Sequence, residues 1–397
     1  MSRNQELLSD LKTKETRSNL IPKLTANAGY KYFIELPTQL MPLSVFNPMI
    51  PEGQFKDAQF GVPHNIDANI QLTVPLYNAN LFGAIEATGL AKEISTLSVS
   101  KSEEQLEYDI TGLYYNAQLL LYQSDFVDSN LNNAQELLKT IQLLRSQLMA
   151  REIDERKILL QISDLEYQKL IIQDRYEQIL MALKFHMGIG NETPLEVQRT
   201  PEEITKTEYN ILPSIDRRIS EMQKLLVQSE IKTLRRSRIH PTVNLLAQYG
   251  TTGYGYDRAP NTFLSFYPLG FAGIQLSYPI FNGMTHKEKM AQKKIEFQQK
   301  ELQSELLKES QTFQVNKALS ERNIAGRSIA SLEEHALIAK YIYNQTLITL
   351  KAGTATITDV LTADAELRKI QQEQVNARFQ YMKANLELKK TTGNITK

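Results

Sequence analysis

Alternation of apolar and polar side chains marks four short segments of the chain. In 66–74 it is complete: Ile66, Ala68, Ile70, Leu72 and Val74 alternate with Asp67, Asn69, Gln71 and Thr73. Residues 23–36 carry the same period, with Leu24, Ala26, Ala28, Tyr30, Tyr32, Ile34 and Leu36 at the even positions. So do 243–251 (Val243, Leu245, Ala247, Tyr249) and 271–278 (Ala272, Ile274, Leu276, Tyr278). A period of two with one polar face is the pattern of a half-buried strand. The proline- and glycine-rich stretches 37–63 and 252–270 then serve as the loops that join each strand pair.

A second pattern fills the rest. The 14 prolines leave two spans untouched, 76–193 and 280–397, both rich in Leu, Gln, Glu, Lys and Ala. Proline breaks helix interiors, so both spans read as helical. Ile295, Leu302, Leu306 and Phe313 step by seven, four and seven, as in a packed helical seam. Leu137, Leu138, Ile141, Leu144 and Leu148 give the first span a similar stripe. Ordinary globular helices run about 8–20 residues, so each span is expected to fold as a hairpin of long helices. In the second span the turn is Lys351-Ala352-Gly353-Thr354-Ala355-Thr356, with glycine as the stop and Thr356 as a new N-cap. Ala150-Arg151-Glu152-Ile153-Asp154 lies at the matching place in the first. The expected long arms, about 80–148 and 283–350, reach ~100 Å and the short arms, about 155–187 and 356–390, reach ~50 Å. Residues 213–238 form a further helix that can stack end to end with a short arm.

Composition narrows the function. Lys plus Arg and Asp plus Glu are both 45 in a chain of 397 residues, so no net field favours a nucleic-acid backbone. The absence of cysteine removes disulfides, thiolate nucleophiles and Cys-type zinc sites. No stretch approaches the ~20 unbroken apolar residues of a membrane helix, so any crossing must be made by strands. The start, Met1-Ser2-Arg3-Asn4-Gln5-Glu6, is polar, so the chain as it stands carries no export leader. The histidines at 64, 186, 240, 286 and 335 form no i, i+4 pair for a metal, and neither a G-x-S-x-G nor a phosphate loop occurs. No active site and no cofactor are expected. Gly250-Thr251-Thr252-Gly253-Tyr254-Gly255 is read as a turn, and the basic run Thr233-Leu234-Arg235-Arg236-Ser237-Arg238 as a helix end that complements the helix dipole.

The chain repeats itself. Ile21-Pro22-Lys23-Leu24 through Tyr30 matches His240-Pro241-Thr242-Val243 through Tyr249. Ile70-Gln71-Leu72-Thr73-Val74-Pro75-Leu76-Tyr77-Asn78 matches Ile274-Gln275-Leu276-Ser277-Tyr278-Pro279-Ile280-Phe281-Asn282 at a shift of 204. Leu148, Ala150, Leu159 and Leu165 match Leu350, Ala352, Leu361 and Leu367 at a shift of 202, which sets Arg151 against Gly353. The expected organisation is a first repeat over 1–190, an equatorial linker and helix over 191–238, and a second repeat over 239–397.

At these residues the chain resembles the TolC-type outer-membrane efflux protein family (outer membrane factors). The strand-to-helix junctions at Pro75 and Pro279 and the turn Ala352-Gly353-Thr354-Ala355-Thr356-Ile357-Thr358-Asp359-Val360-Leu361 are similar to that family's signatures, and the likeness covers about residues 5–395. It implies an α+β membrane protein, a trimeric 12-stranded β-barrel with four strands per chain continuing into a long α-helical coiled-coil barrel, with an internal tandem repeat. It further implies a passive outer-membrane duct of a tripartite efflux or type I secretion system, with a periplasmic extension. The implied partners are two further copies in a homotrimer, a periplasmic adaptor (membrane fusion) protein, an inner-membrane pump and outer-membrane lipid, with no nucleic acid. Asp359 matches a residue of the periplasmic constriction, with Asp364 a weaker neighbour that also reads as a solvated helix face. The hairpin tips Arg151, Glu152, Gly353 and Thr354 match adaptor-contacting turns. Thr356-x-x-Asp359 also reads as a capping box, a role compatible with the first. Tyr30, Tyr32, Tyr249 and Tyr278 are candidate interface aromatics. The chain departs from the family in three places: only 21 residues precede Pro22, so the first helix is expected to be short; Arg151 replaces a turn glycine; and Thr362 stands where some members carry a second acid. From the alternation alone, a soluble protein with a small sandwich and helical stalk, or a non-conducting structural coiled-coil or adaptor protein, is the rival reading.

Overall fold

The computed structural model describes residues 2–45, 49, 51, 53–199, 207–257, 259–260 and 262–395. Parts of the expected loops (46–48, 50, 52, 258 and 261), of the linker (200–206) and of the outer limits of the two repeats (1, 396 and 397) lie outside them. The chain divides into two compact units, Arg3–Thr96 with Met222–Glu301 and Leu97–Glu221 with Leu302–Lys397.

The first unit is built on a sheet. Helix α1 (Ser2–Ser18) leads into β1 (Lys23–Tyr32). A small hairpin, β2 (Thr38–Pro42) with β3 (Phe55–Gln59), follows, and then β4 (His64–Tyr77). After a long interval come β5 (Thr242–Tyr256) and β6 (Phe263–Ser277). The main sheet has the order β1-β4-β5-β6 and every pair is antiparallel. The expected strands are all present, but three are longer than their alternation indicated, and the first, expected over 23–36, ends at Tyr32. β6 begins at Phe263, so most of the expected loop 252–270 is strand, and Gly250 to Gly255 lie within β5 rather than in a turn. Pro268 in β6 is the reason for the misreading. Proline is tolerated on an edge strand, and β6 is an edge of this sheet. The hairpin β2–β3 was not expected, because neither Thr38–Pro42 nor Phe55–Gln59 alternates cleanly.

Three helical segments complete this unit: the first part of α2 (Ala79–Ser146), most of α4 (Ile215–Ile239) and the first part of α5 (Thr285–Lys351). α1 lies along α2, with Asp10 paired to Lys92 at 2.6 Å and Thr13 Oγ1 donating to the Thr88 carbonyl at 3.1 Å. α2 and α4 approach closely at Gly83, where an added Cβ would stand 2.0 Å from Thr233 Oγ1.

The second unit packs the remainder of α2 and α5 with α3 (Glu152–Met187) and α6 (Ile357–Thr391). Its main core draws on all four helices: Leu137 and Ile141 from α2, Ile158 from α3, Ala339 and Tyr343 from α5, Val360 and Leu367 from α6. Ile158 and Val360 are fully buried. Helices of this length need such packing, since propensity alone leaves a polar helix marginal in water. The segment after α3 tucks Val197 against Ala117, Leu180 and Leu183. Further on, Leu212 N–H donates to the Thr392 carbonyl at 3.0 Å, and Gln311 Nε2 donates to the carbonyls of Leu212 and Thr391, both at 2.8 Å.

Candidate functional site

Two features carry the chemistry of this chain, one in each unit. In the first, register assigns every strand residue a face, because residues directly opposite one another project to the same side. Leu24, Leu72, Ala247 and Ala272 form one row; Ala26, Ile70, Tyr249 and Gly270 form the next row on that side. Ile66, Val74, Leu245, Ile274, Val243 and Leu276 extend the same apolar face. The opposite side holds Thr25, Gln71, Gln248 and Phe271 in one row and Asn27, Asn69, Gly250 and Leu269 in another. It is polar over β1, β4 and the near half of β5, and becomes aromatic along β6. The apolar face is uncovered in the chain: Leu24, Ile274 and Tyr249 are 69%, 69% and 73% exposed. β1 and β6 each pair on one side only.

Of the four candidate interface tyrosines, Tyr30 and Tyr32 end β1, and Tyr278 follows the last residue of β6. Tyr249 stands at the centre of β5, which corrects its expected place near a strand end. Tyr30 Oη is hydrogen-bonded to His64 Nδ1 at 2.8 Å, and both tyrosine rings contact the His64 ring. Pro75 is not at the strand-to-helix junction but inside β4, opposite Asn244. It lacks an N–H, and the register slips between Pro75 and Tyr77 as a bulge. The junction itself is Asn78, whose Oδ1 accepts from the N–H groups of Asn80 and Leu81 and starts α2. Pro279 does lie between elements, after β6 and before α5.

In the second unit the two helical turns have one geometry. At the end of α2, Leu148 N–H donates to the Arg145 carbonyl at 2.9 Å and Met149 N–H to the Leu144 carbonyl at 2.8 Å. At the end of α5, Gly353 donates to Leu350 and Thr354 to Thr349, both at 3.0 Å. Leu148 and Gly353 both adopt positive φ, 62° and 79°, as the residue after a helix end does. Arg151 and Thr356 follow with φ/ψ of −94°/157° and −91°/160°. The turns therefore correspond at a shift of 205. Leu148 occupies the position of Gly353, and Arg151 that of Thr356, which corrects the alignment of Arg151 with Gly353. The leucine stripe misled because the buried faces keep the smaller shift of 202: Ile158 and Leu165 on α3 against Val360 and Leu367 on α6.

The two acids of the caps differ in setting. Asp359 is exposed; its Oδ2 accepts from the Thr356 backbone N–H at 2.8 Å and from Thr356 Oγ1 at 2.7 Å. The Thr356 hydroxyl and then its N–H hold this carboxyl below the usual carboxylate range. Asp154 is buried, which alone would raise its carboxyl. The Arg151 guanidinium (Nε at 3.1 Å) and backbone N–H (3.2 Å) outweigh that and hold it low. Arg151 is thus engaged in its own cap, and Glu152 is engaged by Arg156 Nη2 at 2.7 Å. Gly353 and Thr354 are exposed, and Gly353 faces Met149 of the other turn, its would-be Cβ 3.8 Å from the thioether methyl.

Asp364 is not on a solvated face. It is 3% exposed, enclosed between α3 and α6. Gln161 Nε2 donates to its Oδ2 at 2.5 Å, and Arg368 Nε lies 2.9 Å from the same oxygen, close enough to pair though not aligned to donate. Burial raises its carboxyl above the ordinary value despite Arg368 and Gln161. A side chain enclosed in this way cannot line a wet constriction, so Asp359 is the one acid of the two that remains a candidate. Sequence missed this cluster because Asp364 reads as one charge among many on a polar helix. Among the described residues no His, Asp and Glu cluster forms a metal site, and no helix is long and apolar enough to cross a membrane.

Comparison with known proteins matches this architecture. Residues 228–394 match the model of the family described as outer membrane efflux protein. The chain is 22% identical to outer membrane protein TolC of Escherichia coli (strain K12), over 97% of this chain and 77% of that protein. The outer membrane protein VceC of Vibrio cholerae superposes with a TM-score of 0.77 at 15% identity, covering 99% of this chain and 92% of that one. The open state of the MtrE outer membrane channel of Neisseria gonorrhoeae gives 0.71 at 17% identity, covering 99% and 85%. CusC gives 0.79 at 15% identity, covering 99% and 88%. The fold is matched from end to end and the family model over residues 228–394, so the chain is similar in fold, and in the sequence of that part, to the TolC-type outer membrane efflux proteins.

Proposed function

We propose that the chain is one third of a passive duct through the outer membrane and periplasm. The observation that carries this reading is the four-stranded sheet, apolar on one uncovered face, largely polar on the other, and unpaired along both edges. Lipid tolerates strands only where every edge is closed. Four strands are too few to enclose a lumen, so three copies joining β6 of one to β1 of the next close a barrel. The apolar face then meets lipid and the polar face meets water. Each of the four strands runs directly into a helix, which supports a helical barrel continuing the same bore. The repeated order of strand, strand, long helix and shorter helix supports a tandem repeat over 1–190 and 239–397, with 191–238 as its linker.

In this reading the duct does no chemistry, and energy comes from partners: an inner-membrane pump joined through a periplasmic adaptor that contacts the turns at Arg151, Glu152, Gly353 and Thr354. Asp359, repeated three times about the axis, forms a carboxylate ring that restricts flow and attracts cations. It does so while capping α6, since each carboxylate has an oxygen free for the lumen. The test is the mass of the purified protein in detergent, with crosslinking in cells to capture the adaptor. Three chains per particle and a need for detergent are expected. A stable single chain without detergent contradicts the reading and favours a non-conducting structural role.

A further inference from the structure

A groove of about 570 Å³ runs between the end of α4 and the start of α5. Arg235 and Arg238 line it from α4, Lys287 and Lys294 from α5, over a floor that includes Ile239 and Met290. No carboxylate lines it. Among the described residues none of these four cations forms an ion pair; of the acids nearby, Glu86 is engaged by Lys232 at 3.8 Å and Glu230 and Glu296 by Lys293 at 2.5 and 2.8 Å, while Glu301 lines only the adjoining groove. Four unpaired cations at one place repel one another, an arrangement that an anion relieves. Arg235 and Lys294 continue into a second groove of about 840 Å³, lined by Glu86 and Leu90 of α2 as well.

The side on which these grooves open follows from contacts within the same unit. The bulge in β4 sets Tyr77 opposite Val243, on the apolar face of the sheet. The Tyr77 ring meets Phe82 at 5.9 Å and His240 at 5.7 Å. Phe82, Glu86 and Leu90 are spaced i, i+4, i+8 and share one face of α2. The larger groove, lined by Glu86 and Leu90, therefore opens on the side of the apolar sheet face, and the smaller one adjoins it through Arg235 and Lys294, with Ile239 and Phe281 exposed nearby. An apolar band with a cationic slot at its helical border has the polarity of a phospholipid: tails against the band, phosphate in the slot.

We propose that this groove binds the phosphate of an anionic phospholipid from the leaflet nearest the helices, between Arg235 and Arg238 on one side and Lys287 and Lys294 on the other. The site rests on the reading of the sheet as membrane-embedded. It lies between two helices of one chain, so it needs no second copy to be complete. Its use is anchorage: it fixes the height of the strand-to-helix border against the membrane surface.

The test is native mass spectrometry of the full chain in detergent with equal phosphatidylglycerol and phosphatidylcholine of matched acyl chains. Preferential retention of phosphatidylglycerol is expected. Arg235→Gln with Lys294→Gln should reduce it by roughly 25-fold, at about fivefold per cation, and Arg238→Gln with Lys287→Gln should do the same. Lys308→Gln, farther along α5 and lining none of these grooves, should leave it unchanged. Equal retention of both lipids, or phosphatidylglycerol binding indifferent to both double variants, overturns the site while leaving the membrane reading intact. Stripping of the lipid by millimolar inorganic phosphate also overturns it, since the groove then takes free anions. A chain that stays in solution without detergent and takes up neither lipid refutes the membrane reading, and the lipid site with it.

Discussion

Asp364 offers the sharpest test of the helical core, because its burial and its partners pull in opposite directions. Burial raises its carboxyl from the ordinary 3.8, and the attraction of Arg368 and the hydrogen bond from Gln161 only partly offset this. Across the interval from 3.8 up to the folded value the native state therefore binds more protons than the unfolded chain. Stability falls as pH rises through that interval, and above it the full cost of the buried charge remains. Two facing groups share the site: Gln161 Oε1 is buried without a donor, and the Tyr343 hydroxyl is pushed up to about 12 by burial and by the Asp364 charge. Asp364→Asn removes the desolvated charge, keeps an acceptor for Gln161 Nε2 and supplies an N–H for Gln161 Oε1. Because the carboxyl is raised even with Arg368 beside it, the neutral form is the one the fold favours, so we expect Asp364→Asn to be neutral to modestly stabilising at about pH 8, with Arg368 left to reach solvent. The advantage should shrink as pH falls through that interval and be smallest at about pH 3.5, below the ordinary 3.8. Asp364→Ala should cost about 1–3 kcal/mol, because the buried Gln161 amide loses its acceptor. Denaturant unfolding followed by far-UV circular dichroism at the two pH values reads all three chains. An Asn variant that loses stability at the higher pH, by an amount that grows with pH, would refute the reasoning and make the charge a net stabiliser.

Leu148 pays a steric penalty that Gly353 avoids, with φ of 62° and its side chain 95% exposed; Leu148→Gly should raise stability by roughly 1–2 kcal/mol in the same unfolding assay, and no gain would mean that the leucine packs in the assembly. Gly83→Ala places a Cβ 2.0 Å from Thr233 Oγ1 and should destabilise the α2–α4 contact by about 1–3 kcal/mol. Combining it with Thr233→Gly should restore the midpoint, and a Gly83→Ala variant of full stability would show that the two helices separate freely. Asp359→Asn keeps an oxygen for the Thr356 cap but removes the charge that the cap favours, so it should lower stability slightly at neutral pH while it raises conductance or weakens multivalent-cation block in planar bilayers; identical conductance would confine Asp359 to capping.

Much of this fold could be read from the chain because proline and alternation act locally. The proline-free spans became α2 with α3 and α5 with α6, within a few residues of their expected limits. Strand length was the weaker reading. Phe263 to Phe271 is apolar on both faces, so it shows no period of two, and Pro268 reads as a break unless the strand is known to be an edge. The turn equivalence was missed because Leu148 adopts a glycine conformation without being glycine, and no sequence pattern announces that. Asp154 and Asp359 look alike in sequence as the third residue of a helix, yet the first is buried and paired with Arg151 and the second is exposed. The cationic groove was half visible. The run Arg235, Arg236, Arg238 was evident, but its partners Lys287 and Lys294 lie some fifty residues away and are brought to it only by the packing of α4 with α5.

The central claim, a wet lumen on the polar face of the sheet and lipid on the other, is tested most directly by thiol accessibility during conduction. The chain contains no cysteine, so each introduced thiol is unique. Gln71→Cys lies on the polar face and Ile70→Cys, its neighbour, on the apolar one. In planar bilayers a charged, water-soluble thiol reagent should reduce the single-channel conductance of Gln71→Cys stepwise, in three steps, and leave Ile70→Cys unaffected. Conductance absent from well-folded protein, or block of Ile70→Cys with Gln71→Cys untouched, would contradict the account.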